Sequence, residues 1–131
     1  MTDPAANRDQ ALAIRQKIMG DGWVTSVAST PGIESFTEQA IDHLWGGPWV
    51  DTTLELRLKS LITMTALMSL GHLEELTVHV RGALREGLWT ADELRAVVRH
   101  ASPYIGYPAG RHAMVVVDEI AGIIAGDGAA G

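Results

Sequence analysis

Apolar residues recur every three to four positions along this chain, in blocks separated by glycine and proline, and no block alternates with the period of two expected of a half-buried strand. The first block, ALAIRQKIMG, follows Asp3-Pro4, a capping residue with proline at the first helical position. It carries Leu12, Ile14 and Ile18 and stops at Gly20. A turn-rich stretch, DGWVTSVASTPGI, leads to a second helix starting around Ser35. Phe36, Ala40, Ile41 and Leu44 lie on one side of it, and Gly46-Gly47-Pro48 ends it. Thr52 and Glu55 have capping-box spacing and predict a third, more apolar helix that stops at Gly71. His72 to about Glu86 predicts a fourth helix ended by Gly87, Thr90 with Glu93 opens a fifth, and Pro108 begins a sixth. The Gly/Ala-rich tail 126–131 is expected to fray. With no internal repeat, low-complexity block or linker, residues 1–131 read as a single all-α domain of about six helices.

The fourth segment, GHLEELTVHVRGALREG, holds the candidate chemistry. On an ideal helix His72, Glu75 and His79 fall within an arc of roughly 60°, so two imidazoles and a carboxylate can converge. Apolar neighbours, among them Val78, Val80 and Leu84, predict a partly desolvated surrounding that moves pKa values toward neutrality, where acid–base work is done. The same three residues could be metal ligands. Their spacing differs from the zinc arrangement His-Glu-x-x-His, however, and neither metal nor cofactor is expected. An isolated Glu–His pair one turn apart is also an ordinary surface pair.

Composition narrows the partners. The net charge is −6 and no Lys/Arg cluster is present, which speaks against nucleic acid. Cysteine is absent, which removes disulfides, thiolate nucleophiles and thiolate metal sites. The longest apolar run, LITMTALMSL, is too short to span a bilayer. The polar start MTDPAANRDQ shows no secretory leader pattern, so a soluble cytoplasmic protein is expected. Apolar positions from Val115 to Ile124 cover more of the last helix than a small monomer needs, which predicts burial between subunits.

From about Arg8 to Ala121 the order of segments resembles the carboxymuconolactone decarboxylase family. ALAIRQKIMGD, LWGGPW, RLKSLITMTAL, EELTVHVRGALREG, TADELRAVVRHA and the ending Y-x-G-x-PAG carry the similarity. The resemblance implies the alkylhydroperoxidase D-like helical fold, chemistry without a cofactor, and homo-oligomers built on dimers, up to trimers or hexamers. Peroxidatic members of that superfamily carry C-x-x-C-x-x-x-H on the active helix. Here His72 and Glu75 stand at the two cysteine positions and His79 at the histidine, so a thiol peroxidase is excluded.

What remains is a decarboxylase acting on a small cyclic or conjugated keto acid or lactone. His79 would serve as hydrogen-bond donor or acid toward an enolate, Glu75 would orient it or relay the proton, and His72 would take a lesser part. Trp45, Trp49 and Tyr107 are candidate pocket residues, with Trp23 and Tyr104 as further aromatics. Arg85 is a candidate for reaching a ligand carboxylate, and Arg111 with His112 for holding an anion at the start of the last helix. Asp51-Thr52-Thr53-Leu54 departs from the family pattern, which has an arginine after the second tryptophan. A substrate other than γ-carboxymuconolactone is therefore expected. The same pair of residues would also serve an isomerase, dehydratase or cyclase, and the fold could persist as a non-catalytic ligand-binding module.

Overall fold

The computed structural model describes residues 4–20 and 32–130, all helix, turn or short connection with no strand among them. Asp3, Trp23 and all but the last two residues of the turn-rich stretch lie outside these. Among the described residues six helices follow one another: α1 (Pro4–Met19), α2 (Ile33–Ala40), α3 (Leu56–Leu70), α4 (Leu73–Arg85), α5 (Ala91–Ile105) and α6 (Tyr107–Ala130). A π-helical turn, Ile41–Trp45, continues α2. None of the described helices is long and apolar enough to cross a membrane. By internal contacts the chain divides into two compact units, Met1–Lys59 and Ser60–Gly131.

In the first unit the π turn packs against α1 and α2. Gly46 N–H closes it by donating to the Ile41 carbonyl at 2.8 Å, five residues back, and Asn7 Nδ2 of α1 donates to the Gly46 carbonyl at 2.9 Å. A side chain at Gly46 would meet the Asp42 carbonyl at 2.7 Å, so the glycine is needed for this close approach. Arg8 of α1 pairs with Glu38 and Asp42 across the same junction. Ala11, Ile18, Ile41, Trp45 and Trp49 are buried.

The third helix starts later than its sequence suggests. The Asp51 carboxylate accepts the Thr53 N–H at 2.8 Å, which holds 51–53 as a turn. Glu55 then supplies the carbonyl that accepts from Leu58 and Lys59. Thr52 therefore does not cap the helix: residues 51–53 form a turn on the Asp51 carboxylate, and the first helical residue is Leu56. The other capping box is present: Thr90 Oγ1 accepts from Glu93 N at 3.2 Å while the Glu93 carboxylate accepts from Thr90 N at 2.9 Å.

In the second unit α6 packs against both α4 and α5. Leu76, Val80, Val98 and Val117 are at most 2% exposed, and burying each contributes roughly 2 kcal/mol. Met64, Met68, Trp89 and Ile120 complete this core. Gly71 and Gly87 adopt positive φ values of 74° and 69° and end the helices before them, as their positions in the sequence predict. The last helix runs through Ala130, beyond the start of the Gly/Ala-rich tail.

The chain reverses between α5 and α6 at Gly106, whose φ is 96°. Just beyond it the two helices touch: a Cβ at Gly110 would lie 2.0 Å from Ser102 Oγ and 2.9 Å from Ser102 Cβ. Ser102 is itself fixed, donating to the Val98 carbonyl at 2.6 Å. Gly110→Ala must therefore push the helices apart. The expected cost is about 2 kcal/mol, read as a lower urea midpoint at unchanged slope.

Candidate active site

The helix that carries the candidate chemistry is bounded by Gly71 and Gly87 and buries Leu76, Val80 and Ala83 along one stripe. On a 3.6-residue turn His79 lies about 60° from Leu76, at the flank of that stripe, and Glu75 about 100° away. Their environments differ accordingly. His79 is 7% exposed, whereas Glu75 is open to solvent. Burial pulls the His79 imidazole from its ordinary 6.5 down to about 4, and the nearby Glu75 carboxylate pulls the other way without offsetting it. At neutral pH His79 is an uncharged imidazole, with one nitrogen donating and the other accepting.

His72 does not share this geometry. It occupies the N-cap position of α4 with φ −81° and ψ 72°, outside helical conformation and exposed, and its carbonyl accepts the Leu76 N–H. The regular 100° step assumed from sequence therefore fails at its first member, because the turn at Gly71 places His72 before the helix begins. Glu75 and His79 keep their one-turn relation on α4. Among the described residues no group of three His, Asp or Glu is placed to hold a metal.

The other residues singled out from sequence fall in four places. Trp45 and Trp49 are buried in the first unit and stack on each other, with centroids 4.9 Å apart and planes at 23°. Lys59 Nζ secures the loop after them by donating to the Trp49 carbonyl at 3.1 Å and to that of Asp51. The Asp51 carboxyl, exposed, is held below the usual carboxylate range by the Thr53 N–H. Arg85 at the end of α4 faces Asp127 at 3.5 Å.

Tyr107, Arg111 and His112 come together on one cleft of about 690 Å³ between α5 and α6. Val98 and Met114 also line it, and so does Arg99, which the sequence reading overlooked. Arg99 lies in an ordinary amphipathic helix twelve residues before Arg111 and shows no local signal. Only the reversal at Gly106 brings the two onto one cleft. Neither Glu75 nor His79 is among the residues that line it. A second cavity of about 530 Å³ lies between α3 and α5, with Leu61, Val97 and Ile105 in its walls. His100 and Tyr104 also line it, their rings 5.9 Å apart.

Residues 34–119 match the model of the carboxymuconolactone decarboxylase family. The chain is 30% identical over 115 residues to a 4-carboxymuconolactone decarboxylase of Acinetobacter baylyi, covering 85% of this chain and 84% of that one. It is 31% identical over 117 residues to a nitrosuccinic acid decarboxylase of Metarhizium robertsii, covering 85% and 78%. No solved structure matches significantly.

The depressed pKa of His79 has a consequence for stability. Between pH 6.5 and about 4 the unfolded chain protonates this imidazole while the folded chain does not, so stability falls as pH drops through that window. The loss from this residue amounts to roughly 3 kcal/mol. His79→Gln should remove that part of the pH dependence. Urea denaturation of both proteins at pH 7 and pH 4 measures it as the difference between their two pH-induced changes.

Proposed function

Because the chain belongs to the carboxymuconolactone decarboxylase family, we propose that it is a cofactor-independent decarboxylase of a small organic acid, with Glu75 and His79 as its proton-transfer pair. The observation that carries this reading is the contrast within one helical turn: an imidazole buried and neutral, and a carboxylate beside it at the solvent edge.

Loss of CO2 breaks a carbon–carbon bond and leaves its electron pair on the remaining carbon, so the substrate must carry an acceptor for that pair. The compounds named for the two relatives both contain one. A conjugated lactone takes the pair on its carbonyl oxygen as an enolate, and a nitro group takes it on oxygen as a nitronate. The substrate class is therefore a small acid whose departing carboxylate stands on carbon conjugated with such an acceptor. As a neutral imidazole, His79 donates an N–H to the oxygen where charge develops, an interaction that strengthens as the bond breaks. Its apolar surroundings keep this hydrogen bond from competing with water. Glu75, reached by solvent, relays the proton that carbon takes up once CO2 has left. His72, exposed at the N-cap, stands outside the pair.

The protein is further proposed to work as a soluble, cytoplasmic homo-oligomer. Ile62, Tyr104, Val115 and Ile123 are each about half exposed or more, at 56, 82, 47 and 54%. Large apolar side chains left uncovered in this number favour burial against another copy.

Two outcomes test these readings. With 4-carboxymuconolactone and nitrosuccinate as trial substrates, CO2 release should fall at least about a hundredfold in Glu75→Gln and in His79→Ala. Full turnover in both variants on a substrate that the wild type consumes would remove the pair from the mechanism. In light scattering the chain should have a mass that is a multiple of the single chain at micromolar concentration, and a monomer there would refute the assembly.

A further inference from the structure

The cleft between α5 and α6 has an unusual charge balance for this protein. The chain holds 16 acidic residues against 10 Lys and Arg, so a cleft lined by cations and no carboxylate runs against its overall balance. Arg8 pairs with Glu38 and Asp42, Arg95 with Asp92 and Asp118, and Arg85 lies near Asp127. Arg99 and Arg111 have no such partner among the described residues, and both line the cleft together with His112. No Asp or Glu among the described residues lines it.

The walls are preorganised. Gly110 of α6 lies directly against Ser102 of α5, and the Ser102 hydroxyl is already committed to the Val98 carbonyl. That contact fixes the crossing of the two helices. Arg111 follows Gly110 in sequence and Arg99 lies one turn before Ser102, so each cation starts from a wall whose backbone is held. Met114, partly buried, and Pro108, exposed, give the cleft apolar wall, and the exposed ring of Tyr107 lines it as well.

We propose that this cleft binds a small organic carboxylate with an apolar body. The carboxylate is held by the guanidiniums of Arg99 and Arg111 with His112 beside them, and the body lies against Met114 and Pro108. Guanidinium presents paired N–H donors that match a carboxylate, and the apolar floor selects an organic acid over inorganic phosphate. The proposal does not depend on the decarboxylase reading, because neither Glu75 nor His79 lines the cleft.

Benzoate and its uncharged counterpart benzamide are suitable probes, followed by titration calorimetry on the intact protein. Benzoate should bind the wild type, with benzamide and phosphate far weaker. Arg99→Gln and Arg111→Gln should each weaken benzoate about tenfold, while Glu75→Gln should leave its affinity unchanged. In the wild-type protein the ring resonances of His112 should move with benzoate and stay still with benzamide, a readout that needs no variant to fold. Three results would overturn the proposal: no benzoate binding at millimolar concentration, equal binding by the double arginine variant, or equal affinity for benzamide. A changed oligomer mass in the double variant, with no benzoate binding to the wild type, would assign the cleft to a subunit contact instead.

Discussion

The arrangement depends most on the burial of one stripe of α4 against α6. Leu76, Val80 and Ala83 must leave water together, and that requirement sets the rotation of the helix about its own axis. Once the rotation is set, His79 is carried to the flank of the buried stripe and Glu75 to the edge of the exposed surface. The contrast between a neutral imidazole and a solvated carboxylate is thus a by-product of hydrophobic packing, and a helix turned by a third of a revolution would bury or expose both.

Most of the fold was legible because its stops are local. Gly71, Gly87 and Gly106 end helices through their own backbone freedom, and the Thr90–Glu93 box opens one through side chains three residues apart. The misplaced boundaries have equally local causes that motif spacing ranks wrongly. Thr52 and Glu55 fit the capping pattern, yet Asp51 captures the Thr53 N–H and delays α3. The π turn at Ile41–Trp45 was not foreseen, since it depends on Asn7 of a different helix gripping the Gly46 carbonyl. Glu75 and His79 could be read as a pair because both stand on one helix. The cleft could be read only in part, since Arg111 and His112 are marked by the proline before them and Arg99 by nothing local.

The unpaired cations and the buried imidazole follow opposite electrostatic rules. His79 lies where desolvation dominates, so its charged form is suppressed. Arg99 and Arg111 cannot give up their charge at any working pH and remain exposed, so an anion is the only means of neutralising them locally. In an acidic chain this makes the α5–α6 cleft an exception to the surrounding field, which would otherwise repel a carboxylate.

The suppressed charge on His79 also constrains the proposed chemistry. An imidazole that protonates only near pH 4 holds less than a hundredth of its population as the cation at neutral pH, so it is a poor source of the proton that carbon must receive. It is well suited to donating a hydrogen bond to an oxyanion without transferring the proton, because its own charged form is disfavoured by the same apolar surroundings. The proton then has to arrive by way of a group that water can reach, and on α4 that group is Glu75. In the proposed mechanism, the division of the task between two residues follows from where one packed helix turns from core to solvent. If His79 were moved outward, its pKa would rise and a larger fraction of it would carry a proton at neutral pH, but the dry hydrogen bond proposed for the departing pair would be lost.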